Sequence, residues 1–177
     1  MTEAADLADV AALDRLETSA FTVAVAPLFE GAPAFLRRLA AARPFGSAED
    51  LFATARTIAH AMPEADQLEL IDAHPRLGAA RGTVSAFSHV EQGYDVPDRP
   101  ADADPDGTQI AARLTRLNEA YEARFGFRYC VFVAGRPRAE LLPELTAALG
   151  ADRASEISRA LDAVVDIARD RHAKMTR

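Results

Sequence analysis

Ser47-Ala48-Glu49-Asp50-Leu51-Phe52-Ala53-Thr54-Ala55-Arg56-Thr57-Ile58-Ala59 is the stretch that decides the fold. Ser47, with an acidic residue three positions on, has the form of a capping box opening a helix. Leu51, Phe52, Ala55, Ile58 and Ala59 then fall on one face at helical spacing. The same period returns along most of the chain. A second helix is expected over Glu64–Ala73, stopping at His74 because Pro75 pushes its predecessor out of the helical region. Ser85 is placed to cap a short helix running through Gln92, with Gly93 ending it. Ile110, Leu114, Leu117 and Tyr121 recur at 4, 3 and 4, which is a strong amphipathic helix that Phe125-Gly126-Phe127 breaks.

Two stretches do not follow that pattern. Residues 95–107 are rich in Pro and Asp, lack apolar periodicity and read as a mobile surface loop. Tyr129-Cys130-Val131-Phe132-Val133 is a short β-prone run; with no second strand candidate nearby it reads as a buried extended segment between helices. Leu141, Leu142, Leu145 and Leu149 predict a helix made irregular by Pro143. Ile157, Leu161, Val164 and Ala168 form the apolar stripe of a long last helix. No internal repeat is present, and the expectation is an all-α single compact domain over residues 1–177.

Composition narrows the function classes. Apolar residues at 49% provide a real core, and a net charge of −7 disfavours nonspecific nucleic-acid binding, which needs clustered Lys and Arg. An anionic substrate would need a local basic group. The one cysteine, Cys130, has no intramolecular disulfide partner and reads as a small buried apolar residue. No run reaches the ~18 apolar residues of a membrane span. Met1 to Asp9 carries three acidic residues and no basic one, so it lacks a signal-peptide n-region. A soluble cytoplasmic protein is the expectation.

Three features carry chemistry. His74 sits at a helix end with its backbone restricted by Pro75, which suits a side chain that must be aimed and can exchange protons near neutral pH. The alternative is a histidine chosen for local hydrogen bonding. Ser88, Glu91 and Gln92 share a helical face at spacings of 3 and 4, offering a hydroxyl, a carboxylate and an amide to a polar heterocycle; otherwise they are a solvated face. His89 points elsewhere. Arg171 continues the stripe of the last helix while Arg169 lies off it, so Arg171 needs a partner: a protein carboxylate such as Glu91, or a substrate carboxylate. A helix ending earlier would leave it in solvent. His74, His89, Glu91 and His172 lack the pairing and spacing of zinc ligands. No phosphate loop, dinucleotide fingerprint or nucleophile elbow occurs, and Gly135-Arg136 reads as a turn.

The ordered set of motifs resembles the 2-oxo-4-hydroxy-4-carboxy-5-ureidoimidazoline (OHCU) decarboxylase family from about Leu13 to the C-terminus. Leu28-Phe29-Glu30-Gly31-Ala32-Pro33 and Arg43-Pro44-Phe45 look like its early segments. Ala73-His74-Pro75-Arg76-Leu77 resembles its His-Pro-Asp-Leu signature, and Ser88-His89-Val90-Glu91-Gln92 its Ser-x-x-Glu-Gln. Leu117-Asn118-Glu119-Ala120-Tyr121 with Phe125-Gly126-Phe127, and Ile167 to Arg171, resemble its later elements.

The resemblance implies about eight helices, no metal or organic cofactor, and stereospecific decarboxylation of the imidazoline to (S)-allantoin. It implies that His74 and Glu91 are catalytic. Pro75, Ser88, Gln92, the backbone of Tyr129, Cys130, Val131, Phe132 and Val133, and Arg171 would bind substrate. It is compatible with a homodimer. The sequence departs from the family pattern at four places. Arg76 stands where Asp is usual, and His74 to Glu91 is shorter. Gly93-Tyr94-Asp95 replaces Ala-Gly-Leu, and Phe127-Arg128-Tyr129 replaces Phe-Pro-Phe. These departures surround the site and keep two rivals open: an enzyme acting on a different ureide or purine-ring intermediate, and a non-catalytic helical ligand-binding domain.

Overall fold

A computed structural model describes residues 9–79, 81–92 and 107–175. The expected all-α class is what it has: among the described residues there are nine α-helices, two 3-10 turns and no strand. The helices are α1 Val10–Asp14, α2 Thr18–Val25, α3 Pro33–Ala41, α4 Ala48–Ala61, α5 Glu64–Asp72, α6 Ala86–Glu91, α7 Gly107–Phe125, α8 Arg138–Ala148 and α9 Arg153–Met175. The Pro/Asp-rich stretch 95–107 lies outside the described residues except for Gly107, which opens α7, and Gly93 lies outside them too.

Chain contacts gather into two compact units, one drawn from Met1–Ala73 and Leu161–Arg177, the other from His74–Ala160. In the first unit, local signals set the helix starts. Ser47 Oγ accepts from Asp50 N at 3.1 Å and opens α4, while Pro33 sits at the first position of α3, where its missing N–H costs nothing. The Ala34 amide at that same end is taken by Glu69 Oε1 from α5 at 2.9 Å. Phe21, Phe29, Phe35, Leu39, Leu51, Phe52, Leu70 and Ile71 are fully enclosed, each worth roughly 1.5–3 kcal/mol of transfer free energy. Ile58, expected on the buried face of α4, is only half-buried and lines a shallow apolar depression with Ala42, Ala61 and Met62.

The second unit is built around α7. Gly126 takes φ +80°, which an L side chain rarely adopts, and so ends the helix. The chain then returns as the non-helical segment 128–133. Tyr121 stacks on Phe125, Phe127 and Tyr129 with ring centroids 4.6, 5.6 and 5.2 Å away. The extended run is therefore a buried link and not a strand: Tyr129, Cys130 and Val133 are buried, Val131 and Phe132 half-buried. One expectation fails here. α8 runs through Pro143 without interruption. The carbonyl deprived of its bond is that of Ala139, in an exposed first turn where water can satisfy it.

Candidate active site

α5 stops at Asp72 with Ala73 as its cap, and His74 follows, 3% exposed, at the head of a loop over residues 74–79. Side chains from three other segments of the second unit hold the backbone of that loop. Gln92, capping α6, uses both ends of its amide: Oε1 accepts from Gly78 N at 2.8 Å, and Nε2 donates to Arg76 O at 3.2 Å. Asn118 of α7 donates Nδ2 to Leu77 O at 3.0 Å. Arg128 donates Nη1 to the carbonyl of His74 itself at 3.2 Å. A fourth tie is made by Arg76, whose guanidinium forms a two-point pair with Glu122, Nε to Oε1 at 2.6 Å and Nη2 to Oε2. That hydrogen bond raises the Arg76 pKa further above its usual value. The basic group standing where the resemblance expects Asp is thus matched by a carboxylate of the same chain.

Ser88 is 2% exposed on the inner face of α6, one turn before Glu91 and Gln92. Ser85 caps this helix as expected, accepting from Ser88 N at 3.2 Å. The structure therefore ties the Ser88–Gln92 helix directly to the His74 loop. His89 and Glu91 are both half-buried.

The segment 129–133 is fixed by two arginines that sequence reasoning passed over. Arg159 of α9 donates Nη1 to Cys130 O at 2.8 Å and lies over the Tyr129 ring at 4.6 Å. Its Nε and Nη2 donate to Glu156 Oε2 at 3.0 and 2.8 Å, and Tyr121 donates its hydroxyl to the same oxygen at 2.7 Å. Burial opposes the Arg159 charge, but the Glu156 hydrogen bond and the attraction of Tyr129, Glu156 and Tyr121 together outweigh it, and the pKa is raised. Burial pushes the Tyr129 phenol up to about 12, and burial with the Glu156 bond raises Tyr121 further. Arg136, expected only as part of a turn, folds back to donate to Phe132 O at 2.9 Å and Val133 O at 3.2 Å, and pairs with Glu144. The spacing of Glu156 and Arg159 was the available signal: both lie on the side of α9 that carries Ile157 and Ala160 into the core.

Arg171 belongs to the first unit. α9 continues past it to Met175, so the solvent alternative is excluded, and it is 1% exposed. A protein carboxylate that meets it is Glu30: Nη2 lies 2.7 Å from Glu30 Oε1, and Nη1 donates to Pro27 O at 2.7 Å and Leu28 O at 3.3 Å. His172 of the same unit packs edge-on against Phe52 at 5.5 Å. Among the described residues no group of three or more His, Cys, Asp or Glu side chains is arranged to hold a metal ion.

A family model described as OHCU decarboxylase matches residues 14–173. The chain belongs to the OHCU decarboxylase family. It is 34% identical over 161 residues to the uric acid degradation bifunctional protein PucL of Bacillus subtilis, covering 91% of this chain but 31% of that protein. It is 28% identical over 162 residues to the 2-oxo-4-hydroxy-4-carboxy-5-ureidoimidazoline decarboxylase of Haloferax volcanii, covering 92% of each. Among solved structures, an OHCU decarboxylase crystallised in the presence of (S)-allantoin superposes with a TM-score of 0.65 at 21% identity, covering 91% of this chain and 99% of that one. An (S)-allantoin synthase gives 0.65 at 19%, covering 94% and 53%. At such identities the likeness is one of fold. As an OHCU decarboxylase family member the chain has no helix, among the described residues, long and apolar enough to cross a membrane.

Proposed function

We propose that this chain decarboxylates 2-oxo-4-hydroxy-4-carboxy-5-ureidoimidazoline to (S)-allantoin, as a cofactor-free carboxy-lyase of urate breakdown. The observation that carries the reading is the tie between His74 and the Ser88–Gln92 helix: Gln92 bonds the backbone two and four residues after the histidine. The substrate bears its carboxylate on a carbon that also carries a hydroxyl, beside an imine-like ring carbon. Breaking the bond to the carboxyl group releases CO₂ and leaves an electron pair that the ring accepts. A proton added on one face then gives the chiral product. The protein has to bind, orient and move protons.

In this reading His74 takes the hydroxyl proton or donates to the developing charge. Glu91 holds ureido or ring N–H groups and orients the imidazole. Ser88 and Gln92 meet the substrate, Gln92 through the second lone pair of an oxygen already gripping Gly78. Pro75 and the backbone of Tyr129–Val133 line the ring. The role of Arg171 toward the substrate's carboxylate rests on the family resemblance alone. The Arg76–Glu122 pair favours this substrate over a different ureide, because the extra positive charge is neutralised within the chain. We take residues 1–177 as one functional domain, working in the cytoplasm on a small molecule, with a homodimer as its assembly.

The test is the purified full chain given substrate freshly generated from urate. Allantoin of a single hand, formed above the spontaneous rate, supports the reading. Consumption of another ureide, or no reaction, overturns it. Glu91→Gln should lower turnover by on the order of tenfold or more with an unchanged melting transition. Full turnover in that variant would place the carboxylate outside the site.

A further inference from the structure

Asn118 lies on the buried face of α7 between Leu114 and Tyr121, and is 4% exposed. An aliphatic side chain would fill that position without a polar group to satisfy. Its Nδ2 donates to the carbonyl of Leu77, three residues after His74. A carbonyl accepts and cannot donate, so this bond fixes which end of the amide is nitrogen and which is oxygen. The oxygen, Oδ1, is enclosed and has no hydrogen-bond partner among the described residues. Buried polar side-chain atoms in folded proteins are mostly matched, so an unmatched one calls for an explanation, a functional role among them. Gln92 shows the contrast, since both ends of its amide are engaged by the same loop. α7 also presses close here: a Cβ on Gly78 would stand 2.6 Å from Leu114 Cδ2, one turn from Asn118.

We propose that Asn118 is a substrate-binding residue, its Oδ1 accepting a hydrogen bond from an N–H of the ureide substrate. This rests on the decarboxylase reading above. The chemistry sorts orientation as well as identity. A neutral amide oxygen attracts N–H donors and repels a carboxylate, so the ureido or ring N–H end of the molecule lies toward α7 and the carboxylate away from it. One side chain thereby couples substrate recognition to the loop that begins with His74.

Asn118→Leu removes the acceptor at similar volume. The full chain is assayed for kcat, KM and the pH dependence of kcat, and (S)-allantoin affinity is measured by calorimetry. The expected result is a tenfold or greater rise in KM and in the (S)-allantoin dissociation constant, with the pH profile of kcat retained. A residue that only anchored Leu77 would instead lower kcat and shift its pH profile, with (S)-allantoin affinity kept; that outcome, or parameters within about twofold of wild type, overturns the proposal. Should Asn118→Leu not fold, the side-chain carbonyl carbon resonance of Asn118 is followed in the wild-type chain during (S)-allantoin titration. A shift that saturates with binding supports the assignment, and an unmoved resonance overturns it. A wild-type chain that neither forms nor binds allantoin defeats the decarboxylase reading and this proposal with it. An active wild type matched by Asn118→Leu defeats the proposal alone.

Discussion

The Pro27–Glu30 corner in the first unit and the His74–Ala79 loop in the second are both short links held by polar side chains reaching in from helices. The corner depends on one residue: Arg171 meets two carbonyls and the Glu30 carboxylate. The loop is held by three side chains, two of them neutral amides, each taking one or two backbone groups. Concentrating the hold in a buried ion pair makes it stiff and costly to break, because either charge left alone is stranded. Distributing it over amides lets the loop lose one tie and keep its course. The first arrangement gives a corner held by one charge, the second a loop held by several independent ties.

Three measurements sharpen or break that contrast. His74→Ala should have the largest effect on rate, lowering kcat by ~10²–10⁴-fold while the melting temperature stays within a few degrees. A folded variant with near-normal turnover would make His74 a structural residue. Arg171→Met should have the largest effect on stability, about 3–5 kcal/mol in urea unfolding, because Glu30, with its side chain 12% exposed, loses its counter-charge. Adding Glu30→Gln should recover much of that loss, since no buried charge is then unmatched. A single-variant cost below about 1 kcal/mol would mean the ion pair does not hold the corner. The smallest effect belongs to Glu122→Gln, which opens the exposed pair with Arg76 and should cost under about 1 kcal/mol, less at high salt. Turnover should stay within about twofold; a tenfold loss would show that the loop's position depends on this surface pair after all.

The helices were legible wherever a local signal and the period agreed. Ser47 before Leu51 and Phe52 gave α4 its start. The Ile157–Ala168 stripe projected onward to Arg171, which is indeed buried. The partner of Arg171 was not legible, because Glu30 lies 141 residues away and no periodicity links them. The face of α7 was half-legible. Ile110, Leu114, Leu117 and Tyr121 fit a helical stripe, but the buried set is Leu114, Asn118, Tyr121 and Phe125. Both sets run at spacings of 3 and 4, and choosing the apolar one skips the asparagine. Arg128, Arg136 and Arg159 were missed for a similar reason: an arginine outside a stripe reads as solvated until the carbonyls it reaches are in view.

Gly78 limits how this protein can be changed. Its φ of +80° and the closeness of Leu114 leave no room there for a side chain in a relaxed conformation. Two positions earlier the loop faces outward at Arg76, paired with Glu122, where the family resemblance expects an acidic residue. A library seeking new substrates on this scaffold should therefore vary residues 76 and 122 together and leave 78 alone. Within three residues the loop holds one position open to exchange and one closed to it by backbone geometry.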